Sequence, residues 1–170
     1  MAAKPSSTPK SSPDASAREL VIVRVFDAPR ELVFAAWTQG EHLARWSAPE
    51  GMTLSFGECD VRPGGAYRCT MRAPDGAEHR LRGVYHEVVP PERLVFTHVW
   101  EDENGLAFDP TLVTVRFTAE GDKTRMHFHQ GVFESVESRD GHKEGWESCF
   151  RLLDAYLQEL PGGASKGAAR

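Results

Sequence analysis

Towards the end of the chain, apolar residues fall at Trp146, Cys149, Phe150, Leu153, Tyr156, Leu157 and Leu160, spaced by three and four. That spacing places them on one helical face, while Glu147, Arg151, Asp154, Gln158 and Glu159 take the other. The pattern predicts a one-sided helix from about Ser135 to Leu160, which must lie against a flat apolar partner. Upstream the period changes from 3.6 to two. Alternation predicts strands over 18–26, 52–59, 65–73, 77–88, 93–101, 111–119 and 123–131. Between the first two, Asp27-Ala-Pro-Arg-Glu reads as a helix start, with Asp27 or Ala28 near the cap, Pro29 in the first turn, and Leu32, Val33, Ala36 and Trp37 as its apolar face. Thr38-Gln-Gly breaks that helix, and Glu41–Trp46 makes a second short one. Ala73-Pro-Asp-Gly, Val89-Pro-Pro-Glu-Arg and Glu120-Gly-Asp-Lys read as tight hairpins, and Arg62-Pro-Gly-Gly as a turn.

One strand, two short helices, six strands and a long helix make an α+β domain, with the helix laid across a curved antiparallel sheet. The last hairpin predicts its own register. If Ala119 opposes Thr124, then Phe117 opposes Met126, Val115 opposes Phe128 and Val113 opposes Gln130. These form the inner face, and His127 and His129 point outward with Thr114 and Arg116. Gly141 and Gly145 interrupt the helix pattern, where each weakens an interior by about 1 kcal/mol relative to alanine. Either the helix starts late, with Gly141 in the entering loop, or the missing side chains leave room for a guest beside the sheet.

The 170 residues suit one domain, read here over 18–160. The Pro/Ser/Ala/Lys-rich residues 1–17 and the closing 161–170 are expected to be a disordered and a flexible tail. A net charge of -5 without a basic block argues against nucleic acid. Three cysteines without ligand spacing fit a reducing compartment. No apolar run approaches the roughly 20 residues of a membrane span, so a cytoplasmic protein is expected.

Several stretches carry a family likeness. Arg24-Val-Phe-Asp-Ala-Pro-Arg-Glu-Leu-Val-Phe, Trp37-Thr and Leu43-Ala-Arg-Trp46 resemble the opening of the bacterial Hsp90-ATPase-activator-homologue-like (AHSA1-like) proteins. These belong to the START/Bet v 1-like (SRPBCC) superfamily. Arg62-Pro-Gly-Gly-Ala-Tyr67, Gly83-Val-Tyr-His-Glu87, Pro90-Pro-Glu-Arg-Leu-Val-Phe-Thr97, His142, Gly145-Trp146 and Leu152 to Leu157 follow in the same order. The resemblance implies a helix-grip fold: a seven-stranded curved antiparallel sheet gripping the C-terminal helix, with a ligand cavity between. It also places a His where this chain has Gln130 and a Trp where it has His98, so the pocket these shape differs here. In the eukaryotic co-chaperone an additional N-terminal domain binds Hsp90. Here a short tail precedes residue 18, so an Hsp90 interaction is not expected.

The expected activity is binding of a small hydrophobic or amphipathic molecule between helix and sheet. Trp37, Trp46, Tyr67, His98, Trp100, Phe128, Gln130, Trp146, Phe150 and Leu153 are the candidate lining residues. The apolar members would supply burial, and Tyr67, His98 and Gln130 orientation. His98 alternates with Leu94, Phe96 and Trp100, and Tyr85 and Glu87 lie on the facing strand. One alternative is therefore a cyclase- or hydrolase-like enzyme with His98 or Glu87 as acid/base. Another is a homodimeric or chaperone-interacting module, which requires an exposed apolar patch. No catalytic constellation is recognisable: Gly-x-Ser-x-Gly is absent, and Cys149 sits on the apolar helix face where thiols are inert. The His127/His129 pair lacks a third ligand, so neither a metal nor another cofactor is expected.

Overall fold

The computed structural model describes residues 15–162. The tails expected over 1–17 and 161–170 lie outside these, apart from a short 3-10 turn at Ala15–Arg18 and the turn at Pro161 and Gly162. The strands are β1 (Leu20–Phe26), β2 (Thr53–Cys59), β3 (Ala66–Arg72), β4 (Glu78–Val89), β5 (Arg93–Glu101), β6 (Ala107–Glu120) and β7 (Lys123–Gly131). Helices α1 (Arg30–Thr38) and α2 (Gly40–Trp46) follow β1, and α3 (Val136–Glu159) ends the domain. All seven strands form one sheet in the order β1-β7-β6-β5-β4-β3-β2, and every pairing is antiparallel. This is the helix-grip arrangement.

The register follows from the hairpins. Glu120 pairs with Lys123, so Ala119 meets Thr124, Phe117 meets Met126, Val115 meets Phe128 and Val113 meets Gln130, as the alternation predicts. His127 is exposed and His129 half-exposed, paired with Glu19 at 3.1 Å. On edge strand β1 the outward Val21, Val23 and Val25 are exposed as well.

Three elements differ from the sequence expectation. Helix α1 begins at Arg30 with Pro29 as its cap, because the Leu32 and Val33 amides already donate to the Pro29 carbonyl. Strand β6 begins at Ala107 rather than 111. His98 pairs with Thr111 and Trp100 with Phe108, so Asp109 and Pro110 bulge from the ladder and break the alternation. Asp109 takes a left-handed φ of 48° there. Its buried carboxylate turns inward, accepting the Glu134 amide at 2.9 Å and the Ser138 hydroxyl, and so pins the first turn of α3. That helix starts at Val136, capped by the Ser135 hydroxyl on the Ser138 amide, so the late start is the wrong reading of Gly141.

The C-terminal half of α3 packs tightly on the β1, β7 and α1–α2 side. Phe150 meets Phe26, Phe128 and Trp46 with ring centroids 5.4 to 6.5 Å apart. Trp37 stands at the centre of this cluster, 4.7 Å from the Trp46 ring, and Trp46 donates to the Ala36 carbonyl. The N-terminal half of α3, which carries both glycines, stands off the β2–β5 half of the sheet.

Candidate ligand cavity

The space under the first half of α3 is a cavity of about 420 Å³, within the roughly 300–1,000 Å³ of small-molecule sites. Gly141 and Gly145 line it from the helix, and a Cβ at Gly141 would meet nothing within 4 Å. Both glycines are helical, and their missing side chains leave room between helix and sheet. Gly141→Ala is therefore expected to stabilise the protein by about 0.5–1 kcal/mol, measured by urea unfolding. A loss of stability would show that the added methyl meets a contact absent here.

Of the ten expected lining residues, Trp37, Trp46, Tyr67, His98, Trp100 and Trp146 reach the wall. Phe128, Gln130, Phe150 and Leu153 do not. All four are fully buried in the core behind it, because α3 approaches the sheet at its C-terminal end and closes the space there. Gln130 acts as a bracket: its Oε1 accepts the Trp146 indole N–H at 2.7 Å, and its Nε2 donates to Thr111 Oγ1 at 2.8 Å. Thr111 Oγ1 in turn donates to the His98 carbonyl at 3.3 Å. Gln130 thus holds Trp146 and the backbone of His98 in place and has no amide group aimed at the cavity.

The sequence expectation left out most of the far wall, formed by Leu54, Phe56, Cys69, Met71 and Leu81 on β2, β3 and β4, where Tyr85, expected on the strand facing His98, joins them. Its signal was present in the alternation Tyr67, Cys69, Met71 and in Leu54, Phe56. Glu87 is a second correction. The register shifts between Tyr85 and Glu87, and this carboxylate is exposed in an ion pair with Arg93 at 2.6 Å, away from the cavity.

The polar groups on the wall divide into engaged and open. Tyr67 Oη donates to the Thr97 carbonyl at 2.8 Å, so it cannot orient a ligand as expected by donating. Trp100 Nε1 donates to His142 Nε2 at 2.8 Å, which leaves the His142 proton on Nδ1, donating to the Ser138 carbonyl at 2.7 Å. Two buried polar atoms have no partner: His98 Nδ1 and Trp37 Nε1, each on a side chain only 3 % exposed. Burial, and secondarily the neighbouring His142, lower the His98 pKa to about 3, so its imidazole is neutral at physiological pH. Burial likewise pushes Cys69 and Cys149 up to about 12, which removes them as nucleophiles. Among the described residues no cluster suited to a metal ion occurs, and no helix is long and apolar enough to cross a membrane.

Residues 27–158 match the family described as Activator of Hsp90 ATPase homolog 1-like protein. Among solved structures, a protein from Chromobacterium violaceum is 27% identical with a TM-score of 0.76, covering 82% of this chain and 96% of its own. One from Arthrobacter aurescens is also 27% identical with a TM-score of 0.78, covering 92% of this chain and 95% of that one. The AHSA1 protein from Silicibacter pomeroyi is 26% identical at 0.76, covering 82% and 96%. No curated protein matches the chain.

Proposed function

The chain belongs to the Activator of Hsp90 ATPase homolog 1-like family, and from that footing we propose that it binds a small amphipathic molecule in the cavity beneath α3. The observation that carries this reading is the space of about 420 Å³ itself, walled by aromatic and aliphatic side chains beneath the helical Gly141 and Gly145. The Tyr85 hydroxyl, on the same wall, has no hydrogen bond among the described residues and is the polar group that a guest would meet. Trp146 and Trp100 supply apolar area, and the Gln130 and His142 hydrogen bonds keep both indoles in fixed orientation. An acid/base role in the same cavity is disfavoured by the neutral, weakly basic His98 and by Glu87 facing solvent. Binding inside a cell, with the three cysteines as free thiols, accords with this reading.

Native mass spectrometry of freshly purified protein, with extraction of anything bound, tests the proposal. A co-purifying small molecule is expected in the wild-type protein and not in Gly145→Leu. Position 145 lines the cavity, and its Cβ would lie 3.8 Å from Pro49, so leucine would occupy guest space. The same molecule retained by a folded Gly145→Leu protein would place binding elsewhere and overturn the reading.

A further inference from the structure

We propose that β1 is a self-association edge: a second copy of this chain lays its own β1 antiparallel against it, joining two seven-stranded sheets into one. The sheet ends on β1 at one side and on β2 at the other, so each presents an unpaired edge. The two edges are built differently. Strand β2 is broken by a bulge between Phe56 and Glu58, and its exposed residues Thr53 and Ser55 are polar. Bulges and polar side chains are devices that keep an edge from pairing. Strand β1 has neither device. Its register with β7 is unbroken from Leu20 to Phe26, and it holds no proline, glycine, lysine or acid.

In an antiparallel strand the N–H and C=O groups of alternate residues point away from the paired neighbour. On β1 no other described residue makes a hydrogen bond to these outer groups. The preceding turn, Ala15–Arg18, is drawn to the β7 side, where the Arg18 carbonyl accepts the Phe133 amide and its guanidinium donates to the Phe133 carbonyl. The edge therefore offers a ready ladder for one more strand.

The side chains favour a copy of the same strand. Val21, Val23 and Val25 are 52, 49 and 41 % exposed on the outer face. Their spacing is symmetric about Val23. Antiparallel self-pairing centred there sets Val23 against Val23 of the second copy and Val21 against Val25, twice over. Such apolar cross-strand pairs are the stabilising unit of a sheet, and an interface that meets itself is what a two-fold dimer requires. The charges beside the edge call for no partner of opposite sign. On the outer face Glu19 and Glu120 are already paired with His129 and Arg125. On the inner side Arg24 and Arg151 are balanced by Asp27 and Asp154. A copy thus brings no net charge to the contact, although the whole chain carries -5.

Sedimentation equilibrium of the full chain tests this. From about 5 µM to about 500 µM the mean mass is expected to rise from one chain towards two, as a small interface gives. Val23→Lys sets two ammonium groups face to face on the two-fold axis and should weaken the dimer by about ten-fold or more. Val23→Glu should do the same, and an equimolar mixture of the two variants should recover the dimer, because lysine then faces glutamate. Ser55→Lys, on the opposite edge, should leave association unchanged. If circular dichroism shows either charged variant unfolded, Val23→Thr keeps the branched shape and should still weaken the dimer. A single-chain mass at every concentration overturns the proposal, and so does a mass that climbs past two chains. A dimer that folded Val23→Lys or Val23→Thr leaves intact, or a mixture of folded variants that stays monomeric, overturns it as well.

Discussion

Gly83→Ala is expected to cost about 3 kcal/mol or more and to leave the cavity floor unformed. Gly83 is buried in the middle of β4, paired with Tyr67 of β3, whose ring folds down over it. A Cβ on Gly83 would fall on the Thr97 carbonyl oxygen of β5 and within 2.7 Å of Tyr67 Cζ. The ring could rotate at some expense, but it is held by its own hydrogen bond to that same carbonyl. The backbone oxygen cannot move without parting β4 from β5. Relief would therefore require breaking the ladder where the sheet carries Phe96 and His98, or losing the Tyr67 wall. Urea unfolding of the wild-type and Gly83→Ala proteins measures the cost, with Gly57→Ala as control, because a Cβ at Gly57 would meet nothing within 4 Å. A loss below about 1 kcal/mol, comparable to a surface change, would mean that the two strands spread easily and the floor is softer than this packing indicates.

Glycine shows how unevenly the sequence exposes the site. Gly141 and Gly145 stand out because they interrupt a helical period, so their oddity was visible from the pattern alone. Gly83 sits in a strand where nothing interrupts the alternation, and only the approach of Tyr67 reveals why it has no side chain. The β6–β7 register was legible because a two-residue turn leaves few pairings and the apolar alternation selects one. The start of β6 was not, because the Asp109–Pro110 bulge inserts a residue, and alternation across it is lost.

The division between wall and core was beyond the pattern. Trp146, Phe150 and Leu153 share one face of α3, yet only Trp146 reaches the cavity. Their difference is set by how the helix leans on the sheet, closing the gap from Phe150 onward, and helical phase carries no information about lean. Polar residues were harder still. Tyr67, His98 and Gln130 were equal candidates to orient a ligand, since each is a polar group among apolar neighbours. In the fold, Tyr67 and Gln130 donate to internal partners and His98 Nδ1 does not. Satisfaction of hydrogen bonds is a three-dimensional property, and strand or helix phase does not carry it.

The same isolation of His98 makes it a liability in acid. Its pKa falls from an ordinary 6.5 to about 3, first through burial and then through His142. The folded state therefore resists a proton that the unfolded chain accepts freely, and stability is lost as pH falls below 6.5. Above that value both states hold a neutral imidazole and His98 adds no pH dependence. Between pH 7.5 and pH 4.5 the unfolded state gains nearly one proton at this position, so the loss is about 2–3 kcal/mol. The rings packed against His98 are Trp100 from its own strand and His142 and Trp146 from α3. The neighbouring His142 ring, 5.7 Å away between centroids, lowers the His98 pKa further. His98→Leu replaces the imidazole by an apolar group of similar size and has no proton to take up. Unfolding free energies at the two pH values are thus expected to fall by about 2–3 kcal/mol more in the wild-type protein than in the variant. At pH 7.5 the variant should be as stable as wild type or slightly more so, since it discards an unpaired buried nitrogen. A parallel decline of both proteins would mean that water reaches His98 in the folded state and solvates its charge. The burial that keeps the imidazole neutral would then be absent. If the difference appears, the imidazole is retained at a cost to acid stability, which is what a group kept for binding rather than packing would show.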